Sequence, residues 1–310
     1  MGYDPSESTT RERLLSRLAG KRARIAITVG PGAVWLVMLM LAPLLFLVAV
    51  SFTVTDASYQ IVWQPTLDNY IGLLSSDSAR PVWAEPFVRS LLLSYFIGAV
   101  TTVTTLVATL PVAYLLARRS GRFFKVAIYL VLLPFFTVYI VRAYSWLLMF
   151  GPGGNLNKLL IASGVTREPL GILDFGLLPI IVGLTHAYFP YMLLTLYASL
   201  DGVDFTLTEA ARDLGASRVG AFRDVVLPLI VPGIVSGTVF VFVPAIGAFL
   251  TPEFLAQGKI LMIGQLIAGR VNDIYAVGYG SAASMFIIVS VVAAFTLAFR
   301  YVELQDLGGA

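Results

Sequence analysis

Long apolar segments alternate with shorter polar ones along most of the chain. About 20 apolar residues cross the hydrocarbon core of a bilayer, and six segments reach that length. They cover residues 25–52, 88–117, 126–150, 176–200, 227–250 and 276–299. Four of the six contain no charged residue. The pattern therefore predicts an all-α membrane protein: a segment over residues 1–24, a six-helix domain over 25–300, and a short tail over 301–310.

The composition and the distribution of charge agree with this prediction. The chain is 58% hydrophobic and 13% charged, with a net charge of +3, which excludes an ordinary soluble globule. If the N-terminus is cytoplasmic, fourteen of the 21 lysines and arginines lie on the cytoplasmic side. By the positive-inside rule, we expect both termini in the cytoplasm. The net charge then needs no nucleic-acid partner to explain it.

Three segments outside the spans have helical patterns of their own. Residues 8–21 are amphipathic and could lie in the bilayer interface, although a disordered tail over residues 1–10 is an equal alternative. Residues 156–163 are expected to form a short outer helix capped by Asn155 and ended by Gly164. Residues 260–268 are apolar but too short to span. The two outer segments are candidates for partner docking or an outer gate, or for ordinary loop packing.

The polar segment between the fourth and fifth spans has the strongest local signals. Thr206 and Glu209 have capping-box spacing, which predicts a helix that begins directly after Thr206. Gly215 lies where that helix would end, because glycine adopts the left-handed conformation without a Cβ penalty. Ser217 is placed to cap a second short helix. We therefore expect two helices joined by a fixed turn, with apolar surface from Leu207, Leu214, Val219 and Phe222.

This segment also carries a known motif. Glu209-Ala210-Ala211, Gly215 and Leu227-Pro228 resemble the cytoplasmic EAA loop of ABC importer permeases, with Val225 where isoleucine is usual. From about residue 91 to 299 the chain is similar to type I importer permeases of the spermidine/putrescine kind. The stretches that carry the similarity are 132–136, 141–144, 188–192, 196–200 and 262–267.

The resemblance implies a role in an ATP-driven assembly of a bacterial inner membrane. It implies a second permease subunit in a heterodimer, two cytoplasmic ABC ATPases that bind ATP and Mg, and an extracytoplasmic solute-binding protein. The chain itself would hold no cofactor. The residues that would contact the ATPase are Glu209, Ala210, Ala211, Asp213, Leu214, Gly215, Leu227 and Pro228.

The sequence lacks the residues needed for intramembrane aspartyl proteolysis, for zinc-dependent proteolysis and for ATP hydrolysis. No Asp or Glu lies inside a span, there is one histidine, and there is no cysteine. The segment Gln257-Gly258-Lys259 is followed by Ile260 rather than Ser or Thr, so it is not a P-loop. We expect a protein that is not an enzyme. A passive channel would leave the EAA loop unexplained, whereas a membrane scaffold or sensor would bind a partner without moving a solute.

Polar and aromatic residues of the spans suggest a substrate path. Arg142 is expensive in a membrane and is expected to pair with a carbonyl, Asp174 or Glu168, or else to contact an anionic group. His186 is expected to be a hydrogen-bonded packing residue. The resemblance implies a polyamine substrate; aminophosphonates, opine-like and other amino compounds are alternatives. Without an acid inside a span, the candidate path residues are Tyr139, Arg142, Tyr188, Tyr191, Phe249 and Glu253.

Overall fold

The computed structural model describes the backbone of residues 5–56, 60–74, 85–118 and 122–308. Within these ranges it describes side chains except at 5–27, 122–125, 273–274, 298–299 and 301–308. The elements in chain order are α1 Pro5–Ser51, β1 Val54–Thr55, β2 Ile61–Val62, α2 Asp68–Leu74, α3 Pro86–Arg118, α4 Arg122–Leu132, α5 Tyr139–Met149, α6 Asn155–Ala162, α7 Leu177–Asp201, α8 Thr206–Asp213, α9 Arg218–Ala221, α10 Leu227–Ile246, α11 Leu250–Ala256, α12 Ile263–Ile274 and α13 Val277–Gly308.

Five stretches of helix among the described residues are long and apolar enough to cross a membrane. They are Thr28–Ser51, Pro86–Arg118, Leu177–Asp201, Arg218–Ile246 and Val277–Leu297. Each corresponds to one of the predicted spans. The fold is therefore that of an all-α membrane protein, as the apolar pattern indicates. The amphipathic face expected over residues 8–21 lies outside the described side chains, although the backbone there is part of α1.

The predicted third span is not one continuous helix, which corrects the expectation for residues 126–150. A 3₁₀ turn over Leu133–Phe136 separates α4 from α5, and the two helices meet at 85°. Pro134 lies in this turn, where it lacks the N–H that a continuous helix would need. In the other predicted spans the helices continue through their internal prolines, which are Pro31, Pro43, Pro111, Pro190, Pro232 and Pro244.

The chain divides into two compact units. The first contains residues 1–70 and 276–290, and the second contains residues 71–275 and 291–310. In the first unit, β1 and β2 pair antiparallel, which the apolar pattern did not predict. The amide of Asn69 donates to the carbonyl oxygens of Ser51 and Thr53 at 3.0 and 2.8 Å. These bonds hold the chain where it leaves α1.

The core of the second unit lies where α3, α7 and α10 pack together. Ala113 on α3, Leu196 on α7 and Ile230 on α10 are all completely buried. Thr105 and Thr109 are also buried in α3, and each hydroxyl donates to the carbonyl oxygen four residues earlier. These two threonines therefore enter the apolar core without an unmade hydrogen bond.

Gly233 and Gly237 form a GxxxG pattern in the fifth predicted span, and they allow α10 to approach α7 closely. A Cβ added at Gly233 would lie 2.7 Å from the Cβ of Ser199 and 2.9 Å from the carbonyl oxygen of Thr195. At Gly237 it would contact Met192 and the hydroxyl of Thr195. Both glycines therefore face the neighbouring helix of the same chain.

The outer loops differ in detail from the sequence-based expectation. Helix α6 begins at Asn155 itself with Gly154 at the N-cap, so Asn155 does not cap it. Gly164 has φ of +74° and follows the helix end, as predicted. The apolar stretch at 260–268 does not form one helix, because residues up to Met262 belong to the extended entry into α12. A separate short helix, α11, precedes it.

Candidate functional site

The first short helix of the polar segment, α8, is capped by a residue that the sequence reasoning missed. Asp204 Oδ1 accepts hydrogen bonds from the backbone N–H of Thr206 at 3.0 Å and from its hydroxyl at 2.7 Å. These bonds hold the pKa of Asp204 below its ordinary value. The predicted capping box of Thr206 and Glu209 is therefore wrong. Asp two positions before Thr206 is itself a helix-start signal.

The end of α8 is a Schellman turn built on Gly215. The backbone N–H of Gly215 bonds the carbonyl of Arg212 at 2.9 Å, and that of Ala216 bonds the carbonyl of Ala211 at 3.0 Å. Gly215 has φ of +96°, a conformation that side chains with a Cβ rarely adopt. The predicted left-handed glycine is confirmed, and the direction of the chain after α8 depends on it.

The second short helix follows directly and leads into α10. Ser217 Oγ accepts from the N–H of Gly220 at 3.0 Å, which confirms the predicted cap. A π-helical turn over Phe222–Val226 then joins α9 to the span. The ring of Phe222 lies edge-on to Tyr114 of α3, with centroids 5.6 Å apart. Phe222 therefore anchors the segment to the bundle and is not part of its free apolar surface.

The remaining apolar side chains of this segment are open to a partner. Leu214 is 90% exposed and Val219 is 76% exposed. Leu207, Glu209, Ala210, Asp213 and Gly215 are exposed as well, whereas Ala211 and Leu227 are half-buried. Exposed leucine and valine on a rigid helix–turn–helix are typical of a contact surface. The segment thus combines fixed geometry with uncovered apolar area.

Arg142 does not pair with the acids suggested for it. Its guanidinium lies over the rings of Phe135 and Tyr139, 5.1 and 5.7 Å from their centroids. Its buried Nε and one Nη have no hydrogen-bond partner in the described structure, and Asp174 instead pairs with Lys259. The expected carbonyl or carboxylate pairing is therefore wrong. Cation–π stacking replaces it.

His186 lies beside this cluster, packed among aromatic rings rather than hydrogen-bonded as expected. Its ring is 5.2 Å from Phe135 and 5.6 Å from Trp146. The buried Nδ1 has no hydrogen-bond partner among the described residues. A cavity of about 500 Å³ is lined by both His186 and Arg142.

The tyrosines of the predicted path have specific partners. The hydroxyl of Tyr188 donates a hydrogen bond to the carbonyl oxygen of Pro244 at 3.0 Å. The centroids of the Tyr188 and Tyr191 rings are 6.3 Å apart. The hydroxyl of Tyr139 shares a hydrogen bond with Thr251. The structure thus places Tyr188 with Tyr191 as an aromatic pair, and Tyr139 with Arg142 as a cation–π pair.

Phe249 and Glu253, the other two predicted path residues, line one hollow between α11 and α12. Its volume is about 700 Å³, and Gln257, Gln265 and Asn272 also line it. The amide of Gln265 donates to Glu253 Oε2 at 2.8 Å. No sequence signal pointed to Gln265, because its bond to Glu253 depends on how two helices pack.

An ion pair joins two loops of the second unit. Lys259 Nζ donates to Asp174. This bond, with a second from the N–H of Phe175, holds the pKa of Asp174 below its ordinary value. Lys259 lies in the turn that follows α11, and Asp174 lies three residues before α7. The pair therefore connects the end of α11 to the segment that leads into α7.

Comparison with known proteins identifies the family. A model described as "Binding-protein-dependent transport system inner membrane component" matches residues 31–306. The chain belongs to this family. It is the permease subunit of an ABC importer, in which ATP hydrolysis is carried out by a separate subunit. The permease is accordingly an inner-membrane protein.

Several curated relatives are similar over most of the permease. The spermidine/putrescine transport system permease protein PotB of Haemophilus influenzae is 32% identical over 82% of this chain and 86% of its own length. PotB of Escherichia coli is also 32% identical, over 82% of this chain and 89% of its own. The E. coli inner membrane ABC transporter permease protein YdcU is 28% identical over 83% of this chain and 85% of its own length.

A solved structure has the same fold as the permease. A chain of a bacterial ABC transporter involved in alginate import has a TM-score of 0.65, covering 93% of the permease and 99% of that chain. The sequence identity is 17%, so this likeness concerns the fold alone.

Proposed function

We propose that the permease imports a polyamine, spermidine or putrescine, and forms half of the translocation pathway. The observation that carries the proposal is the similarity to PotB proteins over 82% of the chain. The exposed carboxylate of Glu253, among aromatic residues and amides, supports it chemically. Ammonium groups are bound by carboxylates and by aromatic faces.

We also propose that the helix–turn–helix over residues 204–226 transmits movement from the ATPase. The Gly215 turn and the Ser217 cap make the segment stiff, and Leu214 and Val219 supply an apolar contact. When the two ATPases close on ATP, the segment would move with them and pull on α10, since the π-helical turn joins them directly.

The proposed assembly requires a fixed orientation. With both termini cytoplasmic, α8 and α9 face the ATPase, and the hollow at Glu253 faces outward. The other members of the assembly would be a second permease, two ATPases that bind ATP and Mg, and an external solute-binding protein. The basic residues of the cytoplasmic segments support this orientation.

Uptake in intact cells tests the proposal. Labelled spermidine and putrescine uptake is measured after deletion of the gene and after its restoration as wild type, Gly215→Trp or Gly202→Trp. Gly202 is an exposed glycine of the same loop with an ordinary φ of −85°, so it controls for the bulk of tryptophan.

We expect uptake to be lost on deletion and restored by wild type and Gly202→Trp, but not by Gly215→Trp at equal membrane abundance. Unchanged polyamine uptake in the deletion strain would contradict the proposal that the substrate is a polyamine. Normal uptake with Gly215→Trp would contradict the coupling role.

A further inference from the structure

Glu253 is held in one orientation by a buried glutamine. The side chain of Gln265 is 9% exposed. Its Oε1 accepts the N–H of Met262 at 3.1 Å, and its Nε2 donates to Glu253 Oε2 at 2.8 Å. Because Met262 supplies a donor, the carbonyl end of the amide must face it, and the NH₂ end must face Glu253. The direction of this amide is therefore set by the backbone of the α12 entry.

The two oxygens of the Glu253 carboxylate therefore differ in their hydrogen bonding. Oε2 is occupied by Gln265, whereas the side chain as a whole is exposed to the hollow. Within the described residues, no lysine or arginine forms an ion pair with Glu253. No basic residue is among those that line the hollow. The carboxylate therefore presents a negative charge to a hollow whose lining residues include no lysine or arginine.

The chemistry of the walls favours an ammonium ion over a metal ion. Hard metal ions require several oxygen ligands, but Gln265 turns its NH₂ group toward Glu253, and an NH₂ group cannot ligate a metal. Phe249 and Phe254 add aromatic surface, which attracts organic cations. A volume of about 700 Å³ accommodates an alkyl amine.

We propose that this hollow is a binding site for a primary ammonium group, with Glu253 as its charged ligand and Gln265 as the positioning residue. The inference rests on the proposed amine import and adds a site and a second residue to it. Gln265 acts by keeping the free carboxylate oxygen directed into the hollow, while it does not itself need to touch the substrate.

A thiol introduced into the hollow tests the site without relying on transport. The chain contains no cysteine, so Asn272→Cys gives this subunit a single thiol on the wall of the hollow, and Ser163→Cys gives one on an exposed outer loop. Membranes containing the intact assembly are labelled from outside with an impermeant maleimide. Labelling rates are measured with putrescine, with spermidine or with 1,4-butanediol.

We expect both amines to slow labelling of Asn272→Cys but not of Ser163→Cys, and the diol to slow neither. Combining Asn272→Cys with Gln265→Met should raise the half-protective amine concentration about tenfold, because a hydrogen bond to a charged group is lost. Gln64→Met is the matched control, because it makes the same change at an exposed glutamine that does not line the hollow.

Several results would overturn the site. These are no labelling at Asn272→Cys, no protection by amine, equal protection by the diol, or equal effects of Gln265→Met and Gln64→Met. Uptake by the wild type is measured in parallel. If the wild type imports amine but Asn272→Cys shows no protection by amine, only this inference fails. If it imports neither amine, the proposed substrate fails and the ammonium site with it.

Discussion

The hydroxyls of Tyr139 and Thr251 share a hydrogen bond that joins α5 to α11 across 112 positions of the chain. Thr251 is 1% exposed, so its hydroxyl has no access to water. Tyr139 begins the helix that follows the break in the third span. The bond therefore ties that break to the short helix that carries Glu253.

Tyr139→Phe should lower the stability of the purified protein by about 1–3 kcal/mol, because a buried hydroxyl loses its partner. The measurement is thermal unfolding in detergent. Tyr144→Phe is the control, since its ring is 51% exposed and contacts Phe254 only edge-on. An equal loss of stability in both variants would contradict the assigned bond.

Gly233→Ala should destabilise the packing of α10 on α7 by about 1–3 kcal/mol, the usual range for overpacking. Its Cβ would lie 2.7 Å from Ser199 Cβ and 2.9 Å from the carbonyl oxygen of Thr195, and the latter is backbone that cannot rotate away. Gly247→Ala meets no atom within 4 Å and should leave the melting temperature unchanged. Equal melting temperatures for Gly233→Ala and Gly247→Ala would contradict the close approach of α10 to α7.

Asp204→Ala should reduce uptake severalfold, because α8 loses the cap at its first turn. Asp204→Asn should retain most of the uptake, since asparagine caps helices about as well as aspartate. Initial uptake rates, normalised to subunit abundance in the membrane, compare the two. A loss of uptake in Asp204→Asn as large as in Asp204→Ala would point to the charge of Asp204 rather than to capping.

Lys259→Met should lower the melting temperature slightly at neutral pH, because the Asp174–Lys259 pair is partly exposed and screened. Lys259 holds the pKa of Asp174 below its ordinary value of 3.8. A pKa lowered by folding stabilises the protein above the unfolded value, and that contribution is lost as the pH falls through the folded value.

The difference between wild type and Lys259→Met should therefore be complete at neutral pH and shrink on acidification below 3.8. Lys158→Met, a change at another exposed outer lysine, serves as the control and should show no such pH dependence. A difference that is constant across this pH range would contradict the lowered pKa of Asp174.

The sequence by itself determined several features that depend on neighbouring residues, although not the caps of α6 and α8. Apolar length predicts each span, because a helix that crosses a bilayer needs about 20 apolar residues wherever its neighbours lie. The Gly215 turn and the Ser217 cap were predictable for the same reason. Both depend on hydrogen bonds within six residues of chain, so the residue types at those positions are sufficient.

Only the tertiary structure decided which distant residues meet. Gln265 donates a hydrogen bond to Glu253, Lys259 forms an ion pair with Asp174, and Arg142 stacks on aromatic rings instead of pairing with an acid. The 85° angle between α4 and α5 was also decided by the tertiary structure, since Pro134 permits a break in the helix without setting the direction of the next one. These contacts join separate elements, and side-chain partners across elements follow from how helices pack, which the local pattern of residues does not specify.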